Sequence, residues 1–240
     1  MKFQTLDREY SARKRAYCEK RGFPYEDFWP IVNDWPLYCG IFSLSRQLII
    51  SDLLRSTLDV PGHVAEFGSW HGANLLFMAK LLRIFDPHGQ KQVHCFEGFE
   101  GLTTFAPQDS NAANDRGAYH SSYDELIDVI DLYEMQDEIV IHRGHVQETL
   151  PAALQASPNL SFSFVYLDLD LYEPTKIALE TLHDRLSPGG VFVFDEWNFE
   201  PYPGETTAAR EFLAAHGARY SMQSVRHTRQ PSLVLRRTSF

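Results

Sequence analysis

The sequence has 240 residues, 44% of them hydrophobic, with 22 Lys and Arg against 32 Asp and Glu for a formal charge of −10. That length suits one large core, the acid surplus repels a phosphate backbone and so excludes nucleic acid as a partner, and no run of about 18 apolar residues is present to cross a membrane. Cys18, Cys39 and Cys95 are scattered, odd in number and without a C-x-x-C pair. Neither a disulfide framework nor a zinc site is expected, and with no signal-peptide apolar region the expectation is a cytoplasmic protein.

Residues 1–60 read as a helical cap preceding one domain over residues 61–240. Arg8, Arg13, Lys14, Arg15, Lys20 and Arg21 make the first helix basic, as a solvated face would be, and Gly22-Phe-Pro24 breaks it. Phe28 to Gly40 is rich in aromatics and prolines and leads into a helix from about Ser43 to Ser56.

From His63 to Asn74 a short buried strand, Val64–Phe67, enters a turn bounded by Gly68 and Gly72 and continues as a helix over Ala73–Phe85. The dinucleotide fingerprint G-x-G-x-x-G is broken, because Trp70 and Ala73 stand at its second and third glycine positions. Glu66, just before the turn, would meet a pyrophosphate with like charge but can receive an amino group and a ribose, which suits S-adenosylmethionine (SAM).

A second strand, Gln92–Phe96, ends in Glu97, where a doubly wound sheet receives ribose hydroxyls. Residues 103–122 are polar and aperiodic, as a lid or mobile segment would be. A helix over residues 123–134 leads to a third strand, Ile139–His142, and the following Gly144–Pro151 stretch places His145 and Val146 near an adenine. A fourth strand, Leu160–Leu167, is followed by a helix over Pro174–Leu186 that Ser187-Pro-Gly-Gly190 stops, and by a fifth strand, Val191–Phe194. A helix over Thr206–His216 and two short runs, Ala218–Val225 and Ser232–Arg236, close the chain as an antiparallel hairpin. This alternation predicts an α/β fold: a Rossmann-like, doubly wound, mostly parallel sheet covered on both faces. Its ligand should lie at the carboxyl ends of the strands, which carry Glu66, Glu97, Asp168 and Asp195.

If the fourth and fifth strands are neighbours, Asp168, Asp195 and Glu196 converge. Carboxylates that close are driven towards protonation unless a cation sits among them, and an oxygen-only set favours Mg²⁺. Asp170 is then left over for a proton. The alternative is that Asp168 or Asp170 caps the helix near Pro174 and Asp195 orders its own loop.

Glu66-Phe-Gly-Ser-Trp-His-Gly72, Phe96-Glu-Gly-Phe-Glu-Gly-Leu102, Leu167-Asp-Leu-Asp-Leu-Tyr-Glu-Pro-Thr175, Ser187-Pro-Gly-Gly190 and Asp195-Glu-Trp-Asn198 follow one another in this order. Together they resemble the macrocin O-methyltransferase family over roughly residues 60–215. That family comprises SAM-dependent enzymes that methylate sugar hydroxyls in bacterial natural-product pathways. The resemblance implies a class I methyltransferase fold, a homodimer, and Mg²⁺ bound by Asp168, Asp195 and Glu196. It makes Glu66, Gly68, Gly72 and Glu97 cofactor contacts, with Ser69, Trp70, His145, Val146 and Asp168 completing the set, and Asp170 the general base. The chain departs from the family pattern at Glu97-Gly98, where Asp-Ser is more usual, at Asp195-Glu196, where Asp-Asp is, and at Pro174, where Ser is.

The reaction so implied is direct methyl transfer from the SAM sulfonium to a hydroxyl of a small-molecule acceptor, with Mg²⁺ orienting two hydroxyls and Asp170 taking the proton. A phenol or catechol acceptor, or a SAM-binding scaffold without activity, is the alternative.

Overall fold

Strand residues of both parities are apolar in this chain, and the structure shows why. A computed structural model describes residues 2–110 and 112–238; Met1, Asn111, Ser239 and Phe240 lie outside the described residues. Four helices come first, α1 (Lys2–Arg21), α2 (Tyr25–Asn33), the single turn α3 (Trp35–Tyr38) and α4 (Ile41–Arg55). Strands and helices then alternate: β1 (His63–Phe67), α5 (Ala73–Phe85), β2 (Val93–Glu97), α6 (Tyr123–Tyr133), β3 (Ile139–Arg143), α7 (Val146–Ala156), β4 (Phe162–Leu167), α8 (Tyr172–Leu182), β5 (Leu186–Phe194) and α9 (Pro203–His216). The hairpin β6 (Tyr220–Ser224) and β7 (Leu233–Arg237) follows.

The strands form one sheet in the order β3-β2-β1-β4-β5-β7-β6, parallel from β3 to β5 and antiparallel at both contacts of β7. Val64, Phe164, Tyr166, Val191 and Val193 face a layer built from Ile50 and Leu54 of α4, Leu75 and Met78 of α5, and Leu126 and Ile130 of α6. Ala65, Phe67, Phe96, Val165, Leu167, Phe192 and Phe194 face the other layer, from Leu150 of α7, Leu179 and Leu182 of α8 and Phe212 of α9. Each buried Phe or Leu contributes about 1.5–3 kcal/mol, so the sheet core fixes where every strand ends. Among the described residues no helix is long and apolar enough to cross a membrane.

After β3, α7 starts at Val146 and buries Val146, Leu150 and Ala153 at helical spacing, with Pro151 inside it. Two readings of the sequence need correction. The helix expected to run to Leu186 ends at Leu182, and Ser187–Gly190 belongs to β5 instead. Leu186 pairs with Phe162 and Val191 with Phe164, so the intervening residues are taken up in a register shift. Arg13, Lys20 and Arg21 of α1 are paired rather than merely solvated, with Glu134 at 2.9 Å, Asp128 at 2.5 Å and Glu125 at 3.4 Å.

The stretch at 103–122, expected as a lid or mobile segment, lines the cleft at the carboxyl ends of the strands through Thr103, Thr104 and Tyr119 and is anchored at Asp109. Asp109 is buried and accepts hydrogen bonds from Ala106 N and from Tyr172 N, the latter at the start of α8, both at 2.8 Å. Gly204, in the first turn of α9, lets this carboxylate in, since a Cβ there would lie 1.9 Å from Asp109 Oδ1.

Candidate active site

The carboxyl ends of β1, β2, β4 and β5 open into one cleft, which Gly68, Trp70, Glu97, His145, Val146, Asp168, Asp170, Asp195 and Glu196 help to line. The turn after β1 is set by two glycines in the left-handed region, both at φ +80°. At Gly68 this freedom is obligatory, because the turn presses on the backbone of the Asp168 strand end. Glu97 ties the turn to β2. Its Oε2 accepts from Ser69 N at 2.7 Å and Trp70 N at 2.9 Å, and its Oε1 accepts from Phe99 N at 2.7 Å.

Glu66 lies behind the turn. It is 1% exposed and accepts from Ser69 Oγ at 2.8 Å, with the Asn74 side chain also bonded to it. Burial pushes its pKa up to about 8, so at neutral pH the side chain is mostly a protonated acid. Glu66, Ser69 and Gly72 thus support the turn from beneath, whereas Gly68, Trp70, Glu97, His145, Val146 and Asp168 face the cleft. His145 precedes the first turn of α7 and Val146 opens it.

The two turns after β4 and β5 bring the acids together as their spacing promised. Asp168, Asp195 and Glu196 each offer an oxygen, and the three lie within 4.8 Å of one another. Asp170 stands at φ +60°, a left-handed conformation that Asp tolerates better than most residues, and turns back into the same cleft. Burial raises the pKa of each acid: Asp168 and Asp195 move upward, Asp170 reaches about 7 and Glu196 about 8, and the neighbouring carboxylates Asp195 and Asp170 add to the burial effect on Glu196. For Asp195 the rise is opposed by Arg46 and Tyr166. A set of hard oxygen donors that repel one another, one of them (Glu196 Oε2) buried with no hydrogen-bond partner, fits a divalent cation such as Mg²⁺.

Several residues of this site were not singled out in the sequence. Arg46, on α4, places Nη2 2.5 Å from Asp195 Oδ2. Tyr166 donates its hydroxyl to Asp195 Oδ1, and Gln230, from the hairpin turn, donates to Glu196 Oε1. Glu205 of α9 is fully buried and accepts from Glu196 N at 2.8 Å. Tyr119 lines the cleft opposite Trp70, with ring centroids 6.0 Å apart edge to face, and both residues have left-handed backbones. Its hydroxyl meets that of Tyr202 at 3.1 Å, which in turn donates to Asp115 at 2.8 Å. Tyr166 alone was within reach of sequence reasoning, since it lies two residues before Asp168 in the same strand.

A seven-stranded sheet of this order, with an acid at the β2 end and a glycine turn after β1, defines a class I methyltransferase. The chain matches the macrocin-O-methyltransferase (TylF) family over residues 40–229 and belongs to it; it is an O-methyltransferase. It is 30% identical over 216 residues to the 8-demethyl-8-(2,3-dimethoxy-alpha-L-rhamnosyl)-tetracenomycin-C 4'-O-methyltransferase of Streptomyces olivaceus, covering 84% of this chain and 76% of the relative. The demethyldecarbamoylnovobiocin O-methyltransferase of Streptomyces niveus is 28% identical over 182 residues, 70% of this chain and 66% of that protein. Among solved structures, CalS11, a calicheamicin methyltransferase, superimposes with a TM-score of 0.79 at 27% identity, covering 97% of this chain and 92% of its own.

Proposed function

We propose that this enzyme methylates a hydroxyl of a sugar carried by a small molecule in natural-product biosynthesis, using SAM and Mg²⁺. The observation that carries the reading is the convergence of Asp168, Asp170, Asp195 and Glu196 on the cleft that the Gly68 turn also faces. The rhamnosyl group named for the Streptomyces olivaceus relative supports a sugar acceptor.

Asp168, Asp195 and Glu196 would hold the metal. When bound, Mg²⁺ supplies Lewis acidity that makes a coordinated sugar hydroxyl easier to deprotonate. Asp170, with its pKa raised to about 7, is matched to accept that proton at a carboxylate oxygen near neutral pH. The Gly68–Gly72 turn, held by Glu66 and Glu97, seats the methyl donor, and His145 and Val146 bound its adenine side. Trp70 joins the cofactor side of the cleft, and Tyr119, edge to face with it, borders the space left for the acceptor. Residues 1–60 act as a cap on the domain formed by residues 61–240, and the enzyme works as a cytoplasmic homodimer.

Calorimetric titration with S-adenosylhomocysteine, with NAD⁺ as the control, followed by an acceptor screen of glycosides and catechols in Mg²⁺ and in EDTA, tests this reading. The expected result is binding of S-adenosylhomocysteine alone and methylation of a glycoside that EDTA abolishes. Turnover indifferent to EDTA would remove the metal, and transfer confined to catechols would remove the sugar.

A further inference from the structure

Arg46 is a cation in a site that otherwise gathers carboxylates, and it comes from the N-terminal helices rather than from the sheet. Its position is fixed by its neighbours on α4. The ring of Phe42, one turn earlier, lies 5.7 Å from the guanidinium carbon, and Gln47 donates to Asn74 Oδ1 at 3.1 Å at the start of α5. The guanidinium reaches Asp195 through Nη2 alone, and its Nε is buried without a hydrogen-bond partner. This is a one-nitrogen hold rather than the two-pronged pairing in which an arginine is most tightly fixed.

Both oxygens of Asp195 are therefore engaged, Oδ1 by the neutral hydroxyl of Tyr166 and Oδ2 by Arg46. A divalent cation tolerates the first partner. It repels the second, because like charges a few ångströms apart in a buried site are poorly screened. We infer that Arg46 is the resident counterion of the acid cluster and competes with a divalent cation for Asp195, an inference that rests on the metal reading above. Metal entry displaces the guanidinium and removes this tie between the start of α4 and the turn after β5, while Ile50 and Leu54 keep the rest of α4 on the sheet. By linkage, whatever holds Arg46 on Asp195 weakens metal binding by the same factor.

The test uses the full chain without cofactor, with Mn²⁺ as a paramagnetic probe whose free signal reports binding. Arg46→Met, which keeps the stem and removes the charge, is expected to bind Mn²⁺ about tenfold more tightly, while Arg46→Lys, which keeps the charge, stays within about threefold of the parent. Should Arg46→Met fail to fold, as circular dichroism would show, hydrogen exchange on the unaltered protein decides. Amides of residues 41–47, the part of α4 ahead of the buried Ile50 and Leu54, are expected to exchange faster when Mg²⁺ is added. Equal or weaker Mn²⁺ binding by a folded Arg46→Met, or exchange in α4 that Mg²⁺ leaves unchanged, overturns the inference while wild-type metal binding stands. Absence of Mn²⁺ binding to the unaltered protein and to every variant overturns the metal reading itself, and the competition with it.

Discussion

Gly68 and Asp168 touch through their backbones: a Cβ built on Gly68 would lie 1.8 Å from the Asp168 carbonyl oxygen. The turn after β1 and the end of β4 are thus packed backbone to backbone, with no room for a side chain between them. Gly68→Ala adds both this clash and a strained φ of +80°. It is expected to cost about 2–4 kcal/mol of stability and to abolish S-adenosylhomocysteine binding, read by thermal melting and calorimetry.

Asp170→Asn should separate chemistry from binding. Loss of a general base lowers kcat by about 10²–10⁴, whereas the S-adenosylhomocysteine Kd should stay within about twofold. Burial, Asp195 and Asp115 hold the Asp170 pKa near 7 in the metal-free site. Mg²⁺ favours the charged carboxylate, so kcat/KM of the unaltered enzyme in saturating Mg²⁺ is expected to rise with pH through a value below about 7. The variant should show no such rise, and a variant with the parent's kcat would take Asp170 out of the proton path.

Glu66 makes stability depend on pH. Its folded pKa of about 8 exceeds that of an exposed glutamate. Between the two values the native state retains a proton that the unfolded state has lost. The stabilisation is therefore complete below the unfolded pKa and fades as the pH climbs through about 8. Glu66→Gln mimics the protonated acid and lacks this loss. Without cofactor, its Tm should match the parent near about pH 5 and exceed it at about pH 8.5, by about 2–4 °C for each kcal/mol recovered. A Tm difference that ignores pH would mean that Glu66 is ionised in the native state.

Asp109 pins the 103–122 stretch to α8. Asp109→Ala leaves Tyr172 N and Ala106 N without their acceptor, at a cost of about 2–3 kcal/mol. Limited proteolysis should then cut between residues 103 and 122 while the sheet survives, and an unchanged digestion pattern would show that Leu102, Ala112 and Tyr202 suffice to hold the stretch.

Leu37 and Ile41 are 76% and 87% exposed, beside Trp35, Tyr38 and Leu48 on the same N-terminal helices. Apolar exposure on this scale suits the contact face of the proposed homodimer. Leu37→Glu with Ile41→Glu should give a monomer by light scattering with the Tm of S-adenosylhomocysteine complexes retained; a dimer that persists places the contact elsewhere.

Most of the sheet was readable because strands buried on both faces are uninterrupted apolar runs, as at Phe164–Leu167 and Val191–Phe194. Helix α5 was readable to the residue, since Gly72 marks its start. The acids were readable for a related reason: an ionisable group directly after such a run has only the sheet's carboxyl edge to occupy, which placed Asp168, Asp170, Asp195 and Glu196. What the sequence withheld depends on distant neighbours. Helix α7 was not assigned from the sequence, and it is the packing of Val146, Leu150 and Ala153 on the sheet that carries it with Pro151 inside. Arg46 is one of several basic residues before the sheet, and nothing in its local pattern announces a partner 149 positions away. Gln230 and Glu205 join the site in the same manner, through elements whose packing only the tertiary fold decides.

The placement of β7 between β5 and β6 has a consequence for biosynthesis. While the chain is being made, β5 emerges with an unpaired edge, and β6, which follows it, has nothing to pair with until residues 233–237 are translated. Ser232, just ahead of β7, donates its backbone N–H to Phe194 O and its hydroxyl to Asp195 O, so the acidic loop is tied down in the same closing step. A ribosome-bound chain stopped before Ser232 would carry every acid of the cleft and still lack the residue and strand that close over Asp195.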